Sequence, residues 1–148
     1  ESESLGLDIR SLFFRDLEGN IIRSLVSGKP VNFCVGCQAH QRVDNVTLHL
    51  KIKTIGGEGG MGTVLFLSGE HDEKFFEIPS GKQELQVELP YLGLGPGTYT
   101  MSIKLKQSSI YTFDVVESFR FTVKSNGKMS ECCFYQPRLW KLASPEKS

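Results

Sequence analysis

The stretch VTLHLKIKT, residues 46–54, alternates apolar and polar residues without a break. Val46, Leu48, Leu50 and Ile52 fall on one side of an extended chain, and Thr47, His49, Lys51 and Lys53 fall on the other. Successive side chains of a strand point to opposite faces, so this segment predicts a strand with one buried face and one wet face. The same pattern returns in TYTMSIKLKQ, residues 98–107. There Tyr99, Met101, Ile103 and Leu105 face inward, while Thr100, Ser102, Lys104 and Lys106 face outward.

Outward from these two segments, the chain reads as strand after strand, punctuated by Gly, Pro, Asn and Asp. LDIRSLFFRDLEG ends in a polar turn at residues 16–20, NIIRSLVSGKP gives a short extended piece, and Pro30 opens VNFCVGCQAH. TVLFLSG, QELQVELP and YTFDVVESFRFTVKS supply further strands, and no ten-residue window keeps a helical stripe. The sequon NVT at Asn45 reads as a hairpin turn, with Asp44 and Asn45 supplying the turn conformation. About eight strands, most with one polar face, predict an all-β fold: an immunoglobulin-like antiparallel β-sandwich whose sheets cover each other's apolar sides. Residues 1–148 are expected to form a single domain, with residues 130–142 a terminal strand and residues 143–148 a disordered tail.

The 148 residues carry 17 basic and 17 acidic side chains, so no broad basic field exists to hold a nucleic acid. No run of 18 apolar residues occurs, and ESESLGLDIR lacks the basic start and apolar stretch of a signal peptide. An abrupt start into strand-like sequence is what a piece of a longer protein would show. Cys34 and Cys37 have the C-x2-C spacing of zinc knuckles, but strand alternation points the two thiols apart, as it does adjacent Cys132 and Cys133. Reduced, partly buried thiols are expected instead, with no metal and no cofactor.

Catalytic signatures are weak. GGEGGMGT lacks the Lys-Ser/Thr pair of a phosphate-binding loop and reads as a hairpin connection. His40, His49 and His71 form no H-x-H or H-x-x-x-H pair, and His71 in GEHDEK reads as part of a solvated loop rather than a metal cluster. Asp114 and Glu117 could be set as a carboxylate pair for glycoside hydrolysis, but nothing in the sequence separates their pKa values.

Four segments in order, FRDLEGNIIRSLVSGKPV (residues 14–31), ELPYLGLGPGTYTMSIKL (88–105), YTFDVVESFRFTV (111–123) and FYQPRLW (134–140), give the chain a family likeness. Together they resemble the C-terminal domain of Wzt-type ATPase subunits of O-antigen polysaccharide ABC transporters. That resemblance implies a non-catalytic carbohydrate-binding module. It would recognise the finished, often capped, non-reducing end of a lipid-linked glycan, and so select completed chains for export. It also implies a nucleotide-binding domain before Glu1, work with the transporter's membrane subunit at the cytoplasmic face of the bacterial inner membrane, and a homodimer.

The resemblance carries no ligand motif, so the site expectation rests on alternation. His49 and Lys51 on one strand and Ser102 and Lys104 on another form the candidate ligand face, with Gln38 and His40 as outliers. An anionic cap would favour the lysines through charge-assisted hydrogen bonds. A neutral cap would need an aromatic platform, for which Tyr111 or Tyr135 is the candidate. The tail ECCFYQPRLWKL is apolar on both faces, and Phe134, Tyr135, Pro137, Arg138 and Trp140 are expected at a dimer interface with Trp140 as anchor. The rival reading is a protein-binding β-sandwich adaptor without glycan affinity.

Overall fold

The structure, a computed structural model, describes residues 4–55, 63–108, 110–125 and 138–143. Among them run the strands β1 (Leu7–Arg15), β2 (Ile21–Ile22), β3 (Ser24–Val26), β4 (Val31–Ala39), β5 (Val43–Thr54) and β6 (Thr63–Ser68). They are followed by β7 (Phe76–Ile78), β8 (Gly81–Leu89), β9 (Gly97–Gln107), β10 (Tyr111–Lys124) and β11 (Leu139–Ala143). One sheet has the order β11-β8-β4-β1-β2, and the other β3-β10-β9-β5-β6 with β7 also paired to β5. Their apolar faces meet, giving the expected immunoglobulin-like β-sandwich. The described strands outnumber the expected eight because β2, β3 and β7 are too short to show a period.

The two alternating segments pair with each other. β5 and β9 run antiparallel with Leu48 opposite Leu105, Leu50 opposite Ile103 and Ile52 opposite Met101, and all six residues are buried. Phe14, Phe33, Phe119, Phe121 and Tyr99 form a connected aromatic cluster in the same core, with centroid distances of 5.1 Å for Phe14–Phe33 and 5.6 Å for Tyr99–Phe121.

NIIRSLVSG is divided between the two sheets. β2 pairs with β1, whereas β3 lies parallel to the end of β10, with Leu25 opposite Val123. The chain changes sheets at Arg23, and Ser27 N–H donates to Lys124 O at 2.9 Å to continue the parallel pairing. Asp44 and Asn45 do not make a hairpin turn. They lie inside β5 at an irregularity against β7, with Asn45 at φ 61°, a left-handed conformation that asparagine tolerates well. Ala143 closes β11 rather than opening a tail. The Gly-rich connection at 56–62 lies outside the described residues, and β5 and β6 on either side of it pair antiparallel.

β4 is central in its sheet and buried on both faces, which alternation alone does not reveal. Cys37 joins the core, and Cys34 points the opposite way, as the spacing predicts. Arg15 spans the outer face above Cys34. Its Nε and Nη2 donate to Glu84 Oε2 and Oε1 at 2.9 and 3.0 Å, and Gln86 Nε2 donates to Glu84 Oε2 at 2.7 Å. Burial alone would raise the Glu84 pKa, but the bonds from Arg15 and Gln86 outweigh it and hold the carboxyl below its ordinary value.

Burial pushes both thiols up to about 12. The thiolate is the reactive species, so Cys34 and Cys37 should resist iodoacetamide in the native protein at pH 8 and react once urea unfolds it. Peptide mapping by mass spectrometry reads the two cysteines separately, and native-state labelling of either would contradict the burial.

Candidate functional site

The β5–β9 register that buries the core also fixes the outer face. His49 lies opposite Lys104, and Lys51 lies opposite Ser102. On the other flank, β6 sets Ser68 beside His49 and Phe66 beside Lys51. Two rows result, Ser68–His49–Lys104 and Phe66–Lys51–Ser102, and side chains directly opposite on one face have Cβ atoms about 4.5–5.5 Å apart. All of these but the buried Ser68, together with Thr63 and Lys106, line a shallow depression of about 520 Å³. The four residues selected from alternation therefore share one surface.

Among the described residues, no acid forms an ion pair with Lys51, Lys104 or Lys106. Among the described residues, Glu70 approaches the depression, with its Oε1 3.8 Å from His49 Nε2. His49 Nε2 also lies 3.3 Å from Thr47 Oγ1, and Thr47, though on the outward face, is fully buried. Burial, followed by the charge of Lys106, lowers the His49 pKa, while Glu70 partly opposes them. The imidazole is thus neutral at neutral pH, and the cationic character of the face comes from the lysines.

Phe66 is the residue that the sequence reading overlooked. It is 44% exposed, and its ring lies 6.2 Å from His49 and 5.9 Å from His71, centroid to centroid. Alternation in TVLFLS, with Leu67 buried, would have placed Phe66 outward beside the lysines. Of the two aromatics expected as platforms, Tyr111 stands away from the depression, edge-on to Phe113 at 5.0 Å, and Tyr135 lies outside the described residues.

The structure does not bring Gln38 and His40 to this face. Gln38 lies on β4 in the other sheet, beside a separate depression lined by Arg10, Gly36 and Lys82. His40 follows β4 and contacts Asp8 Oδ2 at 3.2 Å. Gln38 lies on, and His40 just beyond, a strand that does not pair with β5 or β9, and strand order is what periodicity leaves open. Asp114 is not poised as a catalytic acid either: its oxygens accept N–H bonds from Ile9 at 2.8 Å and Val115 at 2.9 Å.

Of the tail residues, Cys132, Cys133, Phe134, Tyr135 and Pro137 lie outside the described residues. Arg138 immediately precedes β11, and Trp140 sits on it, opposite Val87 of β8 and packed against the core. β11 is the edge of its sheet, with Leu139 and Leu142 exposed.

Residues 1–134 match the family described as the Wzt C-terminal domain. The chain belongs to the Wzt C-terminal domain family. At the family level this supports a carbohydrate-binding role in O-antigen export by an ABC transporter. Among solved structures, the crystal structure of the C-terminal domain of Wzt aligns with a TM-score of 0.65 and 16% identity, covering 97% of this chain and 82% of that one. A β-glucosidase from Listeria innocua with gluconolactone aligns at a TM-score of 0.41 and 13% identity, over 84% of this chain and 17% of that one. A β-glucosidase from Kluyveromyces marxianus gives 0.41 and 12%, over 96% of this chain and 16% of that one. Comparison with curated proteins finds no match. No helix among the described residues is long and apolar enough to cross a membrane.

A basic group with a lowered folded pKa leaves the unfolded chain to take up the proton first. His49 should therefore titrate below the ordinary histidine value of about 6.5, and folding stability should fall as pH drops through that value. Imidazole NMR titration measures the midpoint, which should rise in Lys106→Ala as a repelling charge is removed. His49→Gln should flatten that part of the stability profile.

Proposed function

We propose that this domain is a non-catalytic glycan-binding module whose ligand face is the outer surface of β5, β9 and β6. It selects finished O-antigen chains by their non-reducing end. The observation that carries this reading is the block of His49, Lys51, Ser102 and Lys104 in register, with Phe66 alongside, in a chain of this family. Pyranose rings present apolar C–H faces and a rim of hydroxyls. Phe66 offers the first an aromatic surface, and Ser102, Thr63 and the lysines offer hydrogen bonds to the second. Three lysines without an acidic partner among the described residues favour an end carrying an acidic sugar or a phosphate group.

In the transporter, the domain works at the cytoplasmic face of the bacterial inner membrane, joined to an ATP-binding domain in the full-length subunit and through it to the membrane subunit. A homodimer assembles through the terminal strand, with Trp140 as anchor. The exposed β11 edge and the exposed Leu139 and Leu142 support this assembly. Removing residues from Glu131 onward should give monomer or insoluble protein in size-exclusion chromatography with light scattering, and an unchanged soluble dimer would refute it. The rival reading, a protein-binding adaptor, draws on exposed Val64 and Phe66 along edge strand β6.

Calorimetric titration with polysaccharide purified from the source bacterium, before and after removal of its terminal residue, tests the function directly. Binding of the intact form alone, with no shortened product, is expected. Lys51→Ala and Lys104→Ala should each weaken binding about tenfold, the scale of one charge-assisted hydrogen bond, without lowering Tm. Full affinity in both would move the site elsewhere, and a stable protein complex without sugar binding would favour the adaptor.

A further inference from the structure

We propose that Asp72 is a positioning residue for the glycan face, and that the loop between β6 and β7 couples that face to the terminal strand. The inference deepens the glycan-face reading and rests on it. Glu70, His71 and Asp72 are consecutive, yet they serve two places. Glu70 approaches His49 at 3.8 Å, and His71 lies edge-on to Phe66 at 5.9 Å. Asp72 turns the other way, where its Oδ2 accepts from Arg138 Nε at 2.9 Å and Trp140 Nε1 at 2.7 Å, and its Oδ1 accepts from Arg138 Nη2 at 2.8 Å.

The loop is built tightly enough to transmit this anchorage. Gly69 N–H donates to Leu48 O at 2.9 Å, and Lys74 N–H returns to Gly69 O at 2.7 Å. A Cβ on Gly69 would stand 3.0 Å from Lys74 O, so a side chain there would press on the closure of the loop itself, while its 3.5 Å to the Leu48 backbone is an ordinary contact. Asp72 N–H donates to Ser68 O and Glu73 N–H to Glu70 O, both at 3.1 Å, and Glu73 has φ 56°. Such a closed turn has little freedom to shift Asp72 without moving Glu70 and His71. The clamp on Asp72 therefore sets where Glu70 and His71 stand over the depression, although Arg138 and Trp140 do not line it. Coupling of this kind is reciprocal: an event that frees β11 loosens the site, and an occupied site steadies β11.

The test reads the site without any ligand. The charged and titratable groups acting on His49 are Lys104, Lys106, Glu70 and His71, and only Glu70 and His71 sit on the loop. Glu70→Gln should lower the His49 midpoint in the wild-type background, because it removes the charge that favours the imidazolium. In Asp72→Asn, Arg138→Ala or Trp140→Phe, the shift produced by Glu70→Gln should fall to less than half, with circular dichroism unchanged. Trp140→Phe keeps the packing and deletes only the N–H donor, so it remains informative if Arg138→Ala fails to fold.

An undiminished Glu70→Gln shift in folded Asp72→Asn and Trp140→Phe would overturn the proposal, as would no shift in the wild type. In the polysaccharide titration the same two variants should bind at least threefold more weakly, and unchanged affinity would also overturn it. Loss of binding in Lys104→Ala with no effect of Asp72→Asn would leave the glycan face standing and remove the coupling. Absence of any polysaccharide binding would remove the glycan reading, while the His49 measurement still decides the coupling.

Discussion

The pairing of β5 with β9 is the constraint on which both core and candidate site depend. A slip of one residue would send Leu48, Leu50 and Ile52 to solvent and bring lysines inward, so burial holds the register firmly. The same register sets Lys104 beside His49, with Lys51 and Lys106 close by. Like charges on adjacent positions of a sheet destabilise it, and neighbouring lysines bring no compensating packing. The fold bears this because His49 is kept neutral by burial and by the lysines themselves.

The outer face of the other sheet is built differently. There Arg15 is bidentate on Glu84, Gln86 adds a third bond to the same carboxylate, and Lys141 lies 3.1 Å from Glu88. Arg15 and Lys141 are matched there by acids, while Lys82 has no ion pair among the described residues, and the central strand beneath is closed to solvent at Cys34. Partly buried, mutually satisfied pairs of this kind specify geometry more than they add stability. This neutralised Arg15–Glu84 centre contrasts with Lys51, Lys104 and Lys106, which have no acidic partner among the described residues, and favours β5, β9 and β6 as the ligand side.

Most of the architecture was legible because long strands with one wet face carry a period of two. The inward and outward assignments of residues 46–54 and 98–107 survive in the structure, including the grouping of His49, Lys51, Ser102 and Lys104. What failed to show in the sequence depends on partners far along the chain. The sheet change at Arg23 rests on a parallel pairing nearly a hundred residues away, and such short strands have no period to read. Gln38 and His40 looked eligible because their outward phase is right, but strand order places them on the opposite sheet. Phe66 was readable from the alternation of residues 63–68, which sets Leu67 inward and Phe66 outward. The Asp72 clamp joins residues 66 and 68 positions apart, a relation no local pattern encodes.

Equal numbers of acids and bases excluded a broad electrostatic field, but neutrality of the sum says nothing about distribution. Several acids of this domain are engaged in holding the backbone or other elements. Asp16 accepts N–H bonds from Glu18 and Asn20 in the first turn, which hold its carboxyl below the ordinary range. Asp114 ties β1 to β10 through Ile9 N–H, Glu84 holds Arg15, and Asp72 holds β11. Each of these four carboxylates satisfies a donor or a cation within the fold, and among the described residues no acid forms an ion pair with Lys51, Lys104 or Lys106. A chain with zero net charge thereby presents a local cationic face. At physiological salt, screening over about 8 Å confines that face to ligands that actually dock, which suits recognition of one terminal sugar better than attraction of a polyanion from a distance.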